Sequence, residues 1–173
     1  MVLENPVKYL ILLASSDDKK IDINKASELL KISASTVRKY LNLLVKEGFI
    51  EKREDGFYLT SFGEKFLKTI KSIKTGFQAS SPYIITDLST GVPIPLSFKN
   101  YKQLLCIIKN EFVDKNTLEL HFKQYMINWI KNSLNDEFLL ELTNRGLIKN
   151  IDDLKNYLEN LISIENTMRE RIT

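Results

Sequence analysis

The sequence predicts a mainly α-helical protein with a small amount of antiparallel β structure. Apolar residues recur at steps of three and four through most of the 173-residue chain, the spacing of one buried helix face. One stretch, residues 49–60, differs: it consists of two short strand-like runs around Asp55-Gly56, a dipeptide that favours a two-residue hairpin turn. We therefore expect a set of helices with one clear hairpin in the first half.

The composition excludes several classes of protein. Hydrophobic residues make up 43% of the chain and charged residues 27%, as in ordinary globular proteins. The longest unbroken apolar runs, 9–14 and 104–108, are too short to cross a bilayer, so no membrane role is expected. One Cys and one His exclude an intramolecular disulfide and a multi-His or Cys-rich metal centre, and no cofactor is indicated. No signal peptide is visible, and with an unpaired thiol we expect a cytoplasmic protein.

The chain opens with a short helix. Pro6 suits its first turn, where a missing N–H costs little. Apolar and polar residues alternate over 21–23, which predicts a very short strand. Asn24 is a suitable N-cap for a second helix over 25–30.

The third helix follows after a tight connection. Ser33 is its expected N-cap and Gly48 the residue just beyond its end. The hairpin over 49–60 comes next, and then a fourth helix over 61–75. Two short helices joined by a tight turn form a helix-turn-helix when the second buries one stripe and exposes a polar face. The buried stripe of the third helix is predicted to be Val37, Leu41 and Leu44.

The opposite face of the third helix carries residue types that a DNA major groove can use. Lysine and arginine neutralise phosphates, and an asparagine can pair with adenine. The hydroxyls at the helix start, together with the free N–H groups there, can hold a phosphate. The basic surplus also lies in this half, since residues 1–78 hold 14 Lys and Arg against 10 Asp and Glu. The candidate DNA contacts on this helix are Ser33, Ser35, Thr36, Arg38, Lys39, Asn42 and Lys46.

These motifs resemble a known family. The chain reads Ala26-Ser27-Glu28-Leu29-Leu30, then Ile32-Ser33-Ala34-Ser35-Thr36-Val37, then Leu41, Leu44, Glu47-Gly48-Phe49-Ile50 and Tyr58-Leu59-Thr60-Ser61-Phe62-Gly63. On these residues, 6–75 resemble the winged helix-turn-helix domain of prokaryotic transcription regulators of the MarR, ArsR and PadR types. The resemblance implies that the helix over 33–47 is the recognition helix and that 49–60 form the wing.

The wing departs from a strongly basic pattern. Lys52 and Arg53 are candidate phosphate contacts, but residues 51–55 carry a net charge of −1. Deep insertion of this wing into a minor groove is therefore not expected.

The second half carries no motif of a known family. We expect residues 77–82 to form a linker. Residues 83–96 are expected to form an extended segment with a turn at Ser89-Thr90-Gly91. Helices are expected near 98–112, 116–134, 136–145 and 150–171. The expected domains are therefore a winged helix-turn-helix over 1–76 and a hairpin plus helical dimerisation or effector region over 83–173.

The last helix has an apolar stripe that approximates three heptads with one polar interruption at Glu165. Such a stripe serves either core packing within one chain or a contact between two chains. A homodimer is slightly favoured, because helix-turn-helix operators are commonly two half-sites. The candidate dimer residues are Ile151, Leu154, Leu158, Leu161 and Met168.

No enzyme is predicted. Cys106 is expected to be a small buried residue, and His121 has no ligand-type neighbours at metal-binding spacing. Asp136 is expected to cap a helix. The leading hypothesis is a sequence-specific double-stranded DNA-binding protein, a dimeric transcription regulator with an unknown effector. The alternative is a winged-helix interaction module of a replication or transcription machine, with weak non-specific DNA binding.

Overall fold

A computed structural model gives the fold, and it describes residue 3 and residues 5–172. The predicted fold class is confirmed, since helices dominate and the strands form two small antiparallel hairpins. The chain divides into two compact units. The first unit runs over Leu3–Lys74 and adds the chain from Ser163 onward, and the second unit is Thr75–Ile162. In the part of the chain that the structure describes, no helix combines the length and the apolar character needed to cross a membrane.

The first unit is built from short helices and one hairpin. Pro6 occupies the first turn of α1, as expected, and α1 continues directly into a 3-10 turn. The hairpin strands β1 and β2 pair in antiparallel register from Ile50↔Leu59 to Arg53↔Gly56. The elements are α1 (Pro6–Leu10), the 3-10 turn (Ile11–Ala14), α2 (Ile23–Leu30), α3 (Ala34–Lys46), β1 (Ile50–Arg53), β2 (Gly56–Leu59) and α4 (Ser61–Lys74).

The start of α2 corrects the sequence prediction. The cap is Asp22, whose carboxylate accepts a hydrogen bond from the Lys25 N–H at 3.0 Å, and Asn24 lies inside the helix. The strand expected over 21–23 is reduced to single bridges. Lys20 pairs with Tyr58, and the Ile21 N–H donates to the Phe57 carbonyl at 2.8 Å. This short segment therefore covers the side of β2 that β1 leaves open.

The hairpin turn also lies one residue earlier than predicted. Its two loop residues are Glu54 and Asp55, and Gly56 is the first residue of β2, with φ of 156°. The reason is that Gly56 takes the positive φ next to the turn and a two-residue loop with negative φ precedes it. A side chain at Gly56 would also meet the Lys20 side chain, 2.9 Å from the added Cβ.

An aromatic cluster forms the core of the first unit. Phe49 lies 4.9 Å from Phe62, 5.2 Å from Phe66 and 5.3 Å from Tyr9, measured between ring centroids. These are ordinary distances for stabilising aromatic pairs. The Phe49 carbonyl lies directly against Gly63, where an added Cβ would come within 2.1 Å of the oxygen. Only glycine therefore fits at this crossing of α4 and the chain after α3.

The second unit consists of a hairpin and the helices that follow it. The extended segment folds as two strands in register Tyr83↔Phe98, with an irregularity before Thr86↔Pro93. Within the described residues this sheet has two strands, so β4 is an edge strand, a position that tolerates the missing N–H groups of Pro93 and Pro95. The elements are β3 (Tyr83–Thr86), β4 (Pro93–Phe98), α5 (Tyr101–Lys109), α6 (Lys115–His121), a π segment (Phe122–Met126), α7 (Ile127–Trp129), a second π segment (Ile130–Leu134), α8 (Glu137–Asn144) and α9 (Ile151–Arg171).

The stretch from α6 to the second π segment is one continuous helical run with wide turns. Its buried apolar residues repeat strictly every four positions. In an α-helix each such step overshoots a full turn by about 40°, so the stripe would wind around the helix. A π segment has more residues per turn and keeps such a stripe on one side. The stripe consists of Leu118, Phe122, Met126, Ile130 and Leu134.

The helix cap predicted in the second unit is confirmed. Asp136 caps α8, accepting hydrogen bonds from the Phe138 and Leu139 N–H groups, and Gly146 ends that helix with φ of 66°. Asp114 caps α6 by accepting a hydrogen bond from the Thr117 N–H at 2.9 Å.

Cys106 is exposed, so its predicted burial was wrong. On α5 the core face is formed by Leu104, Ile107 and Ile108, and position 106 lies on the opposite side.

His121 is buried and fully engaged with its own chain. Its Nδ1 lies 2.6 Å from the Tyr83 hydroxyl, and its Nε2 lies 2.8 Å from the Thr86 carbonyl. Burial raises the pKa of the Tyr83 phenol above its ordinary value, so the phenol keeps a proton that it can donate to the ring. The histidine thus fixes β3 to the end of α6.

The apolar stripe of α9 is buried within a single chain, which corrects the expectation that it serves a dimer contact. The side chains at these positions are at most 2% exposed. Residues that are already covered by their own chain cannot also present a surface to a second copy. The stripe is therefore accounted for by core packing, the alternative that the sequence left open, and it comprises Ile151, Leu154, Leu158, Leu161 and Met168.

Candidate nucleic-acid interface

The turn between α2 and α3 is tight and well hydrogen-bonded. Lys31 adopts a left-handed conformation with φ of 53° and ends α2. The Ile32 N–H then donates to the Ser27 carbonyl at 3.2 Å, and the Ser27 hydroxyl donates to the Ile32 carbonyl at 2.5 Å. This two-way contact fixes the direction in which α3 leaves the turn, which sets the position of its outer face.

The outer face of α3 is exposed as the sequence predicts. Val37, Leu41 and Leu44 are fully buried on the inner face. In the part of the chain that the structure describes, the polar side chains opposite them have neither a hydrogen bond nor an ion pair with another side chain. Three of these are cationic, so the face presents uncompensated positive charge along about two turns. These residues are Arg38, Lys39, Asn42 and Lys46.

The N-terminus of α3 carries a cluster of hydroxyls. Ser33 caps the helix by accepting from the Thr36 N–H at 3.2 Å. Its hydroxyl lies 2.8 Å from the Ser35 hydroxyl and 2.9 Å from the Thr36 hydroxyl. The predicted site residues at this end are therefore brought together, next to the positive end of the helix dipole.

The far end of α3 closes with a left-handed turn. The Gly48 N–H donates to the Val45 carbonyl and the Phe49 N–H to the Leu44 carbonyl, both at 3.0 Å. This pair of bonds is the Schellman arrangement, and Gly48 takes the required positive φ of 79°. The helix therefore has fixed ends on both sides of its exposed face.

The wing is held by contacts of its charged groups with one another, with Tyr58 and with Lys20. Arg53 pairs with Glu51 and lies over the Tyr58 ring, 4.3 Å from its centroid. Asp55 accepts hydrogen bonds from the Tyr58 hydroxyl at 2.6 Å and the Lys20 ammonium at 2.9 Å. These two bonds lower the pKa of the Asp55 carboxyl from 3.8 to about 2.

The two predicted wing contacts consequently differ in their surroundings. Lys52 is exposed and, within residues 5–172, has no ion-pair partner. Arg53 is exposed as well, but its guanidinium is engaged by Glu51 and Tyr58. The structure thus leaves Lys52 as the more available cation at the wing.

Sequence reasoning missed a clamp on the C-terminal end of α3. The Glu47 carboxylate accepts from the Lys8 ammonium at 2.5 Å and from the Tyr9 hydroxyl at 3.0 Å. The Lys8 side chain is only 7% exposed, so its charge depends on this partner. The residues are 39 positions apart, and no spacing pattern could have linked them.

A second missed contact connects the end of α9 to the helix-turn-helix. An Arg171 guanidinium nitrogen donates to the Leu30 carbonyl at 3.2 Å, and an Arg169 nitrogen donates to the Lys74 carbonyl at 2.9 Å. Arg171 thereby satisfies a carbonyl at the open end of α2. The separation of 141 residues between Arg171 and Leu30 again leaves no local signal in the sequence.

Comparison with protein families agrees with this geometry. Residues 9–76 match the family model described as winged helix-turn-helix. The match covers both helices of the motif, the hairpin and α4, and it assigns no subfamily. Comparison with curated proteins and with solved structures gave no match. Residues 9–76 therefore have the winged helix-turn-helix fold.

Proposed function

We propose that this chain binds double-stranded DNA in a sequence-dependent manner and acts as a transcription regulator. The observation that carries the proposal is the outer face of α3, with its three cationic side chains and one amide that lack partners in the described part of the chain. In helix-turn-helix proteins the second helix of the motif enters the major groove. Lysine and arginine on such a helix neutralise phosphates, and asparagine pairs with adenine.

The contacts around α3 support this reading. The Ser27–Ile32 bonds at its start and the Glu47 clamp at its end hold the helix at both ends. A helix that reads base edges must keep its side chains in register with the groove, and fixed ends meet that requirement. The hydroxyls of Ser33, Ser35 and Thr36 lie where a phosphate can approach the helix N-terminus.

The wing plays a minor part in this proposal. Arg53 is paired with Glu51, and Asp55 is paired with Lys20 outside the wing, so the wing offers Lys52 for a phosphate contact rather than a basic finger for the minor groove. Base readout then depends on α3.

A homodimer remains part of the proposal, because two copies would match an operator of two half-sites. Its contact must lie outside the buried stripe of α9. The assignment to a MarR-, ArsR- or PadR-like regulator and the cytoplasmic location stay predictions from the sequence.

Selection of bound fragments from genomic DNA tests the function directly. The full chain is incubated with sheared DNA of the source genome at near-physiological salt, and retained fragments are sequenced. We expect a small set of sites with a shared motif, two-fold symmetric if the protein is a dimer. Uniform recovery that disappears as salt rises would contradict sequence-specific binding, because it reports phosphate contacts alone.

The alternative function, an interaction module in a larger nucleic-acid machine, has one observation in its favour. In the part of the chain that the structure describes, every large hydrophobic residue with strong exposure belongs to the second unit. Exposed apolar groups of this kind mark protein contacts when they form a continuous patch. Recovery of one stoichiometric protein partner without sequence-selective DNA retention would favour this alternative. The residues are Phe77, Ile84, Val92, Phe112, Leu120, Tyr125 and Leu147.

A further inference from the structure

A cavity in the second unit has no part in the proposed DNA binding. Its volume is about 340 Å³, at the lower end of the range of roughly 300 to 1,000 Å³ for small-molecule sites. All of its lining residues lie between Phe122 and Lys149, so the cavity belongs to one compact unit. It has room for a small organic molecule.

The inner wall of the cavity is apolar. Phe122 and Ile148 contribute to it and are otherwise buried, and Ile127 is half-buried beside them. Contact with such a wall favours a ligand that carries an apolar body.

The remaining wall is polar and positively charged. Lys123 and Lys149 line the cavity together with the amides of Gln124 and Asn128. Within the described residues, none of these four side chains has a hydrogen-bond or ion-pair partner, and no carboxylate lines the cavity. Thr143 adds a hydroxyl that donates to the Leu139 carbonyl and keeps its lone pairs for other donors. The site therefore offers two uncompensated positive charges and two amide donors.

The backbone at the cavity is unusual. Phe122, Lys123 and Gln124 belong to the π segment Phe122–Met126, which interrupts the run between α6 and α7. Wide turns of this kind inside longer helices occur frequently at functional sites. Here the wide turn supplies one apolar, one cationic and one amide side chain to the same cavity.

We infer that this cavity binds a small organic anion, a carboxylate or a phosphate ester attached to an apolar body. The ammonium groups of Lys123 and Lys149 bind the anionic group, and Asn128 and Gln124 donate hydrogen bonds to it. The apolar body covers Phe122 and Ile148. The inference concerns the second unit only and does not depend on the DNA-binding proposal.

Binding is tested by NMR titration of the full chain with three probes of similar shape. Benzoate and phenyl phosphate carry the two kinds of anion, and benzyl alcohol is the uncharged counterpart. The readout is the methyl signals of Ile127 and Ile148, which lie in the cavity wall. We expect saturable shifts with at least one anion, with a Kd of about 1 mM or tighter, and binding of benzyl alcohol at least about tenfold weaker. The better anion identifies which acid group the site prefers.

Substitutions locate the anion. The double variant Lys123→Gln/Lys149→Gln should lower anion affinity at least about tenfold, a loss of roughly 1.4 kcal/mol. Both side chains are exposed, so the fold should persist, and an unchanged thermal unfolding curve verifies this. Lys131→Gln is the control, because Lys131 is exposed on the same helical run and does not line the cavity. Three results would overturn the inference: no saturable shift up to about 10 mM of either anion, equal binding of benzyl alcohol, or unchanged affinity in the double variant.

Discussion

At the scale of single residues, the side chains proposed to read DNA and those that fix the recognition helix are separate sets. Arg38, Lys39 and Asn42 face outward without partners in the described chain, whereas Ser27 and Glu47 are engaged in bonds that position the helix. Exchange of an outward residue should therefore change DNA binding with little effect on folding. Exchange of a positioning residue should change stability first.

Asn42→Ala should alter sequence preference more than general affinity. Loss of a bidentate asparagine contact costs about 1–3 kcal/mol of discrimination at one base pair. Lys39→Ala should instead weaken binding to all sequences and reduce the slope of log affinity against log salt by about 1. Both are measured by fluorescence anisotropy with the selected site and with a scrambled one.

Asn132→Ala and Lys131→Ala are the matched controls for these variants, since both residues are exposed in the second unit. Unchanged affinity, preference and salt slope in the two α3 variants would remove this face from the interface.

Glu47→Gln should destabilise the first unit. The change leaves the Lys8 ammonium, whose side chain is only 7% exposed, without its carboxylate partner. A hydrogen bond to a charged group contributes about 1.5–3 kcal/mol, so a loss in that range is expected in urea unfolding. Glu28→Gln, at an exposed position on α2, is the control. A free energy of unfolding that equals the wild-type value would show that the clamp contributes nothing.

At the scale of elements, close approach of backbones decides where α4 begins. The Thr60 hydroxyl accepts a hydrogen bond from the Gly63 N–H at 3.1 Å and donates to the carbonyls of Gly48 and Phe49. These bonds hold the first turn of α4 against Phe49. The hairpin turn is also fixed by side-chain contacts. The Asp55 carboxylate there accepts hydrogen bonds from the Tyr58 hydroxyl and the Lys20 ammonium.

Gly63→Ala should destabilise the first unit by about 1–3 kcal/mol, because the new methyl group must displace the Phe49 backbone. Alanine favours helices intrinsically, so a stabilising effect would show that the close approach is absent. Ser61→Ala, at the exposed start of the same helix, should leave the thermal unfolding temperature nearly unchanged.

The wing should carry a measurable acid dependence. The pKa of Asp55 is lowered from 3.8 to about 2, so its ionised form stabilises the folded wing above pH about 4. That contribution is lost as the pH falls from about 4 to about 2. Carboxyl NMR titration should place the Asp55 midpoint near 2. Tyr58→Phe should move the midpoint upward, because it removes the strongest hydrogen bond to the carboxylate, and Tyr40→Phe should not move it. A midpoint near 3.8 in the unaltered protein would contradict the contact.

At the scale of the whole molecule, α9 contributes to both compact units. Its first part belongs to Thr75–Ile162, and its final turns from Ser163 onward belong to the winged-helix unit. In that unit Ile164 and Met168 are buried, and Arg171 bonds the end of α2. The C-terminal residues from Ser163 onward are therefore part of the winged-helix unit, although the whole of Thr75–Ile162 separates them from the rest of it in the sequence.

Leu158→Ala separates core packing from a dimer contact. A buried leucine replaced by alanine costs about 2–5 kcal/mol. If the stripe is core, this loss should be the same at low and high protein concentration. If it is a dimer contact, the unfolding temperature of the unaltered protein should rise with concentration and the variant should lose that rise. Asn156→Ala, exposed on the same helix, is the control.

The sequence by itself determined the features that depend on neighbours along the chain. Periodicity predicted the buried stripe of α3, capping chemistry predicted Ser33 at its start, and the glycine at position 48 predicted its end. Together they gave the winged helix-turn-helix and the exposed face of α3. Local signals also misplaced small details: the cap of α2 is Asp22, and the hairpin turn is Glu54-Asp55. At both places several residues that could form the cap or the turn lie within a few positions of one another. The backbone conformation determines which of them does so.

Only the tertiary structure decided the features that depend on contacts between distant residues. A periodic stripe shows that one helix face is covered but not what covers it, so the α9 pattern allowed both core packing and the slightly favoured dimer contact. Burial settled that stripe as core. The Glu47 clamp and the Arg171 bond to Leu30 join residues far apart in the chain, where spacing carries no information. The cavity beside Phe122 exists because helices and loops pack around it, which periodicity within one helix cannot specify.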